Sequence, residues 1–498
     1  MKTIQPRTSL AHPLQIAEVV PNLGMGKIGL TLCPGKVQST GLTGSWARDL
    51  SLDVEAISEW NASVVLTLVE AEELARLQVP NLGKAVRDRH MEWLHLPIRD
   101  RDVPDAAFEA AWIETGEQLR ARLRLGFNVL IHCMGGLGRA GTIASRLLVE
   151  LGWRPRDSIR EVRRVRPGAL ETRGQEDFVH SCSAVAEAKP GRTIGAVRDR
   201  AIGSLLGLAV GDALGTTLEF TARDNRPRVT GIEGGGPFQL KPGQWTDDTS
   251  MALALADSLL RCDGLDEHDL MTRFVSWWKH GSYSSTGQCF DIGTTVRGAL
   301  LRLQEQGNPV AGSIDPMSAG NGSLMRLSPV SIRYWDDGER RRDAAARQSR
   351  TTHGAPEAVD ACVSFGDMLA EAIAGEPKGE VLRARSGCWS GAIRPILAGS
   401  WRGKPRSMIA SSGYVAHSLE AAVCSVGRTS SFADAVLLAA NLGGDADTVA
   451  AITGQLAGAI YGASGIPGEW LDTVYSRDDI QSLAAGLFDS AARKSVGG

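Results

Sequence analysis

The sequence has no C-x-x-C pair. Its eight cysteines, Cys33, Cys133, Cys182, Cys262, Cys289, Cys362, Cys388 and Cys424, lie far apart, so no zinc knuckle or dithiol redox motif is legible. In 498 residues they are also too sparse for a disulfide framework, and a reducing compartment is expected. Runs of about 18 apolar residues are missing, which predicts no membrane span. The opening MKTIQPRTSLAHPLQIAEVV lacks the apolar core of a secretory leader. Charge of one sign is missing too. Lys and Arg number 54 against 57 Asp and Glu, without the cationic surplus that a general nucleic-acid binder needs to displace counterions. These absences predict a soluble, cytoplasmic protein with neither membrane nor general nucleic-acid partner. Its 43% hydrophobic and 22% charged residues exclude disorder as the dominant state. The length suggests about two to four domains.

Two halves follow different patterns. In the first, short apolar runs alternate with helical stretches, the grammar of an α/β domain. Ser63–Val69 and Asn128–His132 read as buried strands, and Trp93–Ile98 as an alternating one. Helices are expected around Glu70–Leu77, from Asp105 to Leu125, over Ala140–Leu151, and after Asp157 as N-cap, with Ile159, Val162 and Val165 inward. The Pro/Gly-containing AEAKPGRTIGAV then reads as a connection. Beyond it strand-like runs are scarce, and Ala/Gly/Leu-rich segments at helical spacing dominate: Arg198–Gly215, Thr249–Leu260, Phe432–Leu442 and Thr448–Tyr461. Ala209, Gly211, Ala450 and Gly454 are small enough for close helix contact. The expected organisation is a multi-domain chain: an α/β domain over 1–185, a linker over 186–197 and an all-α domain over 198–498.

The sharpest feature of the first half is His132-Cys133-Met134-Gly135-Gly136-Leu137-Gly138-Arg139. A strand delivers the cysteine to a turn from which a helix starts, so backbone N–H groups and the positive helix end converge on one point. An anion would be cradled by Met134, Gly135, Gly136, Leu137 and Gly138, and the same field favours a thiolate. Arg139 can fork onto two phosphoryl oxygens. The implied chemistry is thiolate attack on phosphorus followed by hydrolysis of a cysteinyl-phosphate. A general acid belongs on a nearby loop; Asp100 leads, with Asp102 and Asp105 behind it. The bland alternative is a buried cysteine beside an ordinary Gly-rich turn. The Arg-rich stretch over Arg154–Arg173 could attract a phosphorylated protein or a nucleotide, but a solvated helix face is the favoured reading.

IHCMGGLGRAG resembles the signature of the dual-specificity class of cysteine-dependent protein phosphatases. Over about Leu30–Cys182, the run LPIRDRDVPD…VLIHCMGGLGRAG…RPGALETRGQEDFVH is similar to the cyclin-dependent-kinase-associated phosphatases. The resemblance implies an α/β cysteine-phosphatase fold, no cofactor, and a phosphorylated protein or small molecule as substrate. It makes Cys133 the nucleophile, Arg139 the phosphate clamp and Asp100 the general acid, with Gln175 near a glutamine that orients the hydrolytic water in some relatives. One position departs. The residue after the arginine is usually Ser or Thr, whose hydroxyl stabilises the departing thiolate, and here it is Ala140. Slower breakdown of the intermediate is expected, or a phosphate-binding module that targets the rest of the chain.

In the second half, acidic and hydroxyl residues interrupt apolar helix at Gly211-Asp212…Glu219, Trp245-Thr246-Asp247-Asp248-Thr249 and Gly443-Gly444-Asp445-Ala446-Asp447-Thr448. Capping would explain any single segment. Jointly, oxygen-only donors are what Mg²⁺ or Mn²⁺ prefers, and the paired aspartates can face two ions that orient a ribose diol. These segments, with GSLLGLAVGDALGTTLEF, CFDIGTTVRGAL, SAGNGSLMRLSPV and TTHG, resemble the ADP-ribosylglycohydrolase family over about Arg198–Ser490. The resemblance implies an all-α fold with two divalent cations, Mg²⁺ or Mn²⁺, on Thr246, Asp247, Asp248, Asp445, Asp447 and Thr448. It puts Glu219 beside the metals and water, Asn321, Gly322 and Ser323 along the diphosphate, Asp291 at the modified side chain or distal ribose, and His353 at the ribose. The implied reaction is hydrolysis at ribose C1″, releasing ADP-ribose from an ADP-ribosylated protein or small molecule.

Overall fold

The computed structural model describes residues 6–40 and 44–495; the outermost residues of both expected domains, 1–5 and 496–498, lie outside the described residues, as do 41–43. The chain divides into two compact units, Met1–Ala188 and Lys189–Gly498.

The first unit is built on strands β1 (Ala17–Val19), β2 (Ile28–Thr31), β3 (Val37–Gln38), β4 (Trp46–Ala47), β5 (Ala62–Thr67), β6 (Glu92–His95) and β7 (Asn128–His132). Helices α1 (Leu50–Glu59), α2 (Ala71–Arg76), α3 (Leu82–Asp88), α4 (Ala106–Arg124), α5 (Gly138–Glu150), α6 (Pro155–Val165) and α7 (Arg173–Ser181) connect and follow them. Five strands form one sheet in the order β1-β2-β7-β5-β6, parallel except for β1 against β2, while β3 and β4 pair separately. Central β5 and β7 are apolar runs because both faces of a parallel sheet are covered. The register sets Thr31 and Thr67 beside His132, and His95 beside Thr67. Four parallel strands thus end at one level, and Cys133 follows directly.

Strand β7 has the expected bounds, and β5, β6, α2, α4 and α5 agree to within three residues at each end. One expectation is corrected. Helix α6 starts at Pro155, not after Asp157, because proline's fixed φ suits the first helical position and its missing N–H costs nothing there. Asp157 sits in the first turn, where its charge complements the helix dipole.

Among the described residues the second unit contains no strand. Its helices are α8 (Ile194–Gly215), α9 (Asp247–Arg261), α10 (Glu267–His280), α11 (Thr294–Gln306), α12 (Ser328–Arg333), α13 (Gly338–Thr352), α14 (Pro356–Ala374), α15 (Lys378–Val381), α16 (Ile393–Leu397), α17 (Val415–Arg428), α18 (Phe432–Ala440), α19 (Ala446–Tyr461), α20 (Gly468–Thr473) and α21 (Arg477–Ser495). Helix α8 enters the stretch expected as linker, starting at Ile194 with the Thr193 hydroxyl accepting the Ala196 N–H. It is apolar all round and buried from Ala201 to Gly215, the pattern of a central core helix.

Helices α8 and α19 pack backbone to backbone. Glycines at 203, 207, 211 and 215 make one ridge of α8. A Cβ on Gly207 would stand 2.3 Å from the Gly454 carbonyl oxygen, and one on Gly203 2.5 Å from that of Gly458. Gly211 and Gly215 meet Ala450 and Ala446 in the same way, at 2.2 and 2.4 Å. Ala209 is not on this ridge, since it lies about 200° around the helix from Gly207.

Gly207→Ala is expected to force the helices apart and destabilise the protein by about 1–3 kcal/mol or more. Gly195→Ala, on the same helix with nothing within 4 Å, should cost nothing. Urea unfolding of both variants checks this; equal midpoints would contradict the packing argument.

Candidate functional site

In the first unit the Cys133 loop is held by its carbonyls. Met134 O accepts from Lys36 Nζ at 3.1 Å and from the Cys33 N–H at 3.4 Å. Gly136 O and Gly135 O each accept from Arg166, at 3.0 Å. With carbonyls tied outward, N–H groups are left for the concave side, and the Gly136 N–H points at Cys133 Sγ at 3.2 Å. Gly136 has φ +70°, and a Cβ there would collide with the Thr31 carbonyl at 2.4 Å, so only glycine fits. His132 bonds through Nε2 to Thr67 Oγ1 at 2.7 Å; burial pushes its pKa down to about 3 and keeps it neutral.

Arg139 is buried at the start of α5. It donates to both Glu73 oxygens at 2.5 and 3.0 Å, to the Ile98 carbonyl at 2.9 Å, and pairs with Asp100 at 3.0 Å. Burial opposes ionisation of Glu73, yet the Arg139 hydrogen bond holds its carboxyl below the ordinary range. Sequence reasoning missed Glu73; its one signal is the capping box with Glu70 that opens α2. The three acid candidates separate clearly. Asp105 caps α4 through the Phe108 N–H, and Asp102 accepts the neighbouring Val103 N–H. Asp100 is half-exposed and alone of the three pairs with the loop arginine. Gln175 is buried and bridges the Glu171 N–H and the Asp102 carbonyl, while Glu171 accepts the Gly138 N–H at 3.0 Å. Thr142, the nearest hydroxyl after Ala140, donates to Gly138 O at 2.8 Å and is committed there.

The second unit gathers its carboxylates where α8 ends and α9 and α19 begin. Capping does not account for them. Neither Thr246 nor Asp445, at the two N-cap positions, caps its own helix by its side chain. The orphan N–H groups are satisfied from α8 and the turn after it. Asp212 accepts from the N–H and hydroxyl of both Thr246 and Thr249 at 2.7–3.0 Å, and Glu219 accepts from the Ala446 N–H at 2.8 Å. This frees the aspartates at the α9 and α19 N-termini to face one another. Oxygens of Asp212, Asp248 and Asp447 lie within 4.8 Å of one another, as do those of Glu219, Asp445 and Asp447, with Asp447 in both groups.

Too few protons serve these oxygens. The Thr246 hydroxyl has one proton and three carboxylate neighbours: Asp212 at 2.9 Å, Asp248 at 3.1 Å and Asp447 at 3.2 Å. Asp248 Oδ1 is buried without a hydrogen-bond partner. An all-oxygen set with orphaned, buried acceptors fits a hard divalent cation. Burial first, and the charge of Asp447 next, push Asp212 and Asp445 up to about 7, Asp291 to about 8 and Glu219 to about 12. Asp247 and Asp248 are also raised by burial and neighbouring carboxylates; Asp247 stands outside both groups of three.

Thr448 joins the same cluster, its hydroxyl 3.3 Å from Asp248 and its N–H on Asp447. Asn321 is engaged beside it, its amide donating to Asp445 at 2.5 Å and Ser418 at 2.8 Å. Gly322 admits the His353 imidazole, which a Cβ would meet at 2.7 Å; His353 is buried, bonded to Thr352, and pushed down to about 3 by burial. Ser323 turns its hydroxyl into the core toward Ser349 and Cys362, so only its backbone is available to a diphosphate. Asp212, named in the sequence only within an acidic segment, emerges as the residue that fixes the Thr246–Thr249 turn. A lone charge inside an apolar helix is the signal that marks it.

A cysteine anion loop on a parallel sheet and a carboxylate cage in a helical core define a chain with two hydrolase-type centres. The sequence pattern of the ADP-ribosylglycohydrolase family matches residues 194–496, and that of the Swiss Army Knife DSP-PTPase phosphatase domain matches 42–179. The chain belongs to the ADP-ribosylglycohydrolase family and carries an N-terminal DSP-PTPase domain. It is 47% identical over 307 residues to the ADP-ribosylarginine hydrolase Tri1 of Pseudomonas putida, covering 59% of this chain and 79% of that protein. It is 32% identical over 136 residues to cyclin-dependent kinase inhibitor 3 of Rattus norvegicus, covering 27% of this chain and 63% of that protein. Among solved structures, an ADP-ribosylglycohydrolase-related protein complex is 39% identical with a TM-score of 0.54, covering 60% of this chain and 99% of that one.

The raised carboxylates set a pH signature. Asp212, Asp445 and Asp291 bind protons more tightly folded than unfolded, so their contribution to stability is full below the ordinary 3.8 and is lost as pH rises through about 7 to 8. A divalent cation held by the cage would cancel that loss. The gap in melting temperature between Mg²⁺-loaded and chelated protein is expected to widen from pH 6 to pH 8; a constant gap would contradict it.

Proposed function

We propose that the second unit hydrolyses the bond between ribose C1″ of ADP-ribose and an arginine side chain, with two divalent cations, Mg²⁺ or Mn²⁺. The observation that carries this reading is the shortage of protons in the carboxylate cage. The similarity to an ADP-ribosylarginine hydrolase supports the linkage. Thr246, Asp247, Asp248, Asp445, Asp447 and Thr448 would hold the ions, with Asp212 fixing the turn that presents the first three. Bound ions would supply positioning of the ribose hydroxyls and a water of lowered pKa. Glu219, pushed up by burial and then by the charge of Asp447, is the group placed to exchange a proton with water or with the departing guanidine. Asn321 holds Asp445 in place. Asp291, next to the cage, pairs with a cationic acceptor.

The first unit is read as a phosphomonoesterase. Cys133 Sγ attacks phosphorus, Asp100 protonates the departing oxygen, and water cleaves the thiophosphate bond. Arg139, poised by Glu73, binds two of the phosphoryl oxygens. Ala140 and the committed Thr142 hydroxyl favour a second reading of this unit, a phosphate-binding module that turns over slowly and targets an active glycohydrolase.

Purified full-length protein is expected to release ADP-ribose from ADP-ribosyl-arginine with Mg²⁺ or Mn²⁺ and not with chelator. Asp447→Asn should lower the rate on the order of 100-fold. Release that persists undiminished in chelator would overturn the metal assignment.

With an aryl phosphate, Cys133→Ser should abolish turnover and Asp100→Asn should slow it about 100-fold. Ala140→Ser should speed the steady state while leaving the initial burst unchanged. Equal steady-state rates in wild type and Ala140→Ser would remove the case for slow thiophosphate breakdown.

A further inference from the structure

Three phenylalanines stand together beside the carboxylate cage, in a chain with 10 in all. Phe220 and Phe238 meet edge to face with ring centroids 6.3 Å apart, and Phe238 and Phe290 are tilted at 5.3 Å. Two of the three are covalent neighbours of site carboxylates, Phe220 following Glu219 and Phe290 preceding Asp291. Phe220 is 69% exposed, although burying such a ring is favourable by about 1.5–3 kcal/mol.

The backbone here is strained in two places. Phe220 has φ +56° and Asp291 φ +58°, left-handed conformations that cost about 1–3 kcal/mol outside glycine. The surroundings impose the first. The Phe220 N–H donates to Gly444 O, and the Gly444 N–H donates back to Thr221 O, both at 2.8 Å. This two-bond clamp ties the ring to the loop that delivers Asp445. An exposed aromatic held in a strained conformation at the cage rim is a built feature.

We propose that Phe220, Phe238 and Phe290 form the wall that receives the acceptor side of the substrate, stacking on its planar guanidinium while Asp291 pairs with the charge. The inference rests on the arginine linkage proposed above and names the residues that select it. The scissile bond is at C1″, so groups adjoining the cage touch whatever C1″ carries. Adenine lies beyond the pyrophosphate and the second ribose. A guanidinium is flat and cationic, suited both to aromatic faces and to a carboxylate. A serine ether has neither property and gains nothing from such a wall.

The test uses full-length, metal-loaded protein. Phe220→Leu and Phe238→Leu keep apolar bulk and lose the ring; Phe220→Tyr keeps the ring. KM and kcat are measured on ADP-ribosyl-arginine, and the Kd of free ADP-ribose by calorimetry. Both leucine variants are expected to raise KM about three- to tenfold, the size of a cation–π contact, with kcat unchanged because the contact is equal in ground and transition states. Phe220→Tyr should match wild type, and the Kd of ADP-ribose, which lacks the guanidine, should not move. A parallel loss of ADP-ribose affinity would overturn the proposal by placing the wall under the nucleotide. Wild-type turnover with unaltered KM in both leucine variants overturns the wall alone. Failure of wild type to cleave the arginine linkage, with ADP-ribose still bound, overturns the linkage and the wall together. Phe220 is exposed, so its variants report even where Phe238→Leu does not fold.

Discussion

The second unit depends on one contact, the glycine ridge of α8 lying on the backbone of α19. Side chains normally keep helix axes 8–10 Å apart, and glycine at the crossing lets carbonyls approach to distances that no Cβ permits. The carboxylate cage is a consequence. Asp212 leaves the last turn of α8 and Asp447 the first turn of α19, and their oxygens share a cluster because the two helices are that close. Any side chain at 211 or 215 would part the acids as well as the helices.

Both centres follow the same building rule. Functional groups are freed by satisfying their neighbours from elsewhere in the chain. In the cysteine loop, Lys36 and Arg166 take the carbonyls, so amides other than that of Gly138, which Glu171 accepts, are left for an anion. In the cage, Asp212 and Glu219 take the helix N-terminal amides, so the aspartates are left for a cation. One site collects donors and the other acceptors, and in each the buried surplus of one kind defines the ligand's charge.

Much of this was legible in the residues. The strand Asn128–His132, the loop after it and the three acidic segments carry strong local patterns, and the division into an α/β and an all-α part follows from apolar periodicity. Strands β1, β2, β3 and β4 are two to four residues long, too short to show an alternation, and were not foreseen. Helix α6 was misplaced because Asp157 looked like a cap while Pro155 is the better starter. The pairing of Glu73 with Arg139 and the inward turn of the Ser323 hydroxyl join residues far apart in sequence, so no local pattern announces them. Asp212 was visible as an acid, but its part in holding the Thr246–Thr249 turn exists only once α8 and α9 meet.

The glycine ridge also has a vernier quality. Its teeth, 203, 207, 211 and 215 against 446, 450, 454 and 458, repeat every four residues on both helices. A slide by four residues, about 6 Å, would set Gly207 opposite Gly458 and Gly211 opposite Gly454, small residue against small residue again. Smooth teeth hold distance and leave register open. The choice of tooth falls to polar contacts at the two ends, where Glu219 grips the Ala446 amide and Asp199 the N–H and hydroxyl of Ser464. Glu219, at the rim of the cage, is therefore also part of the detent that stops two helices from sliding.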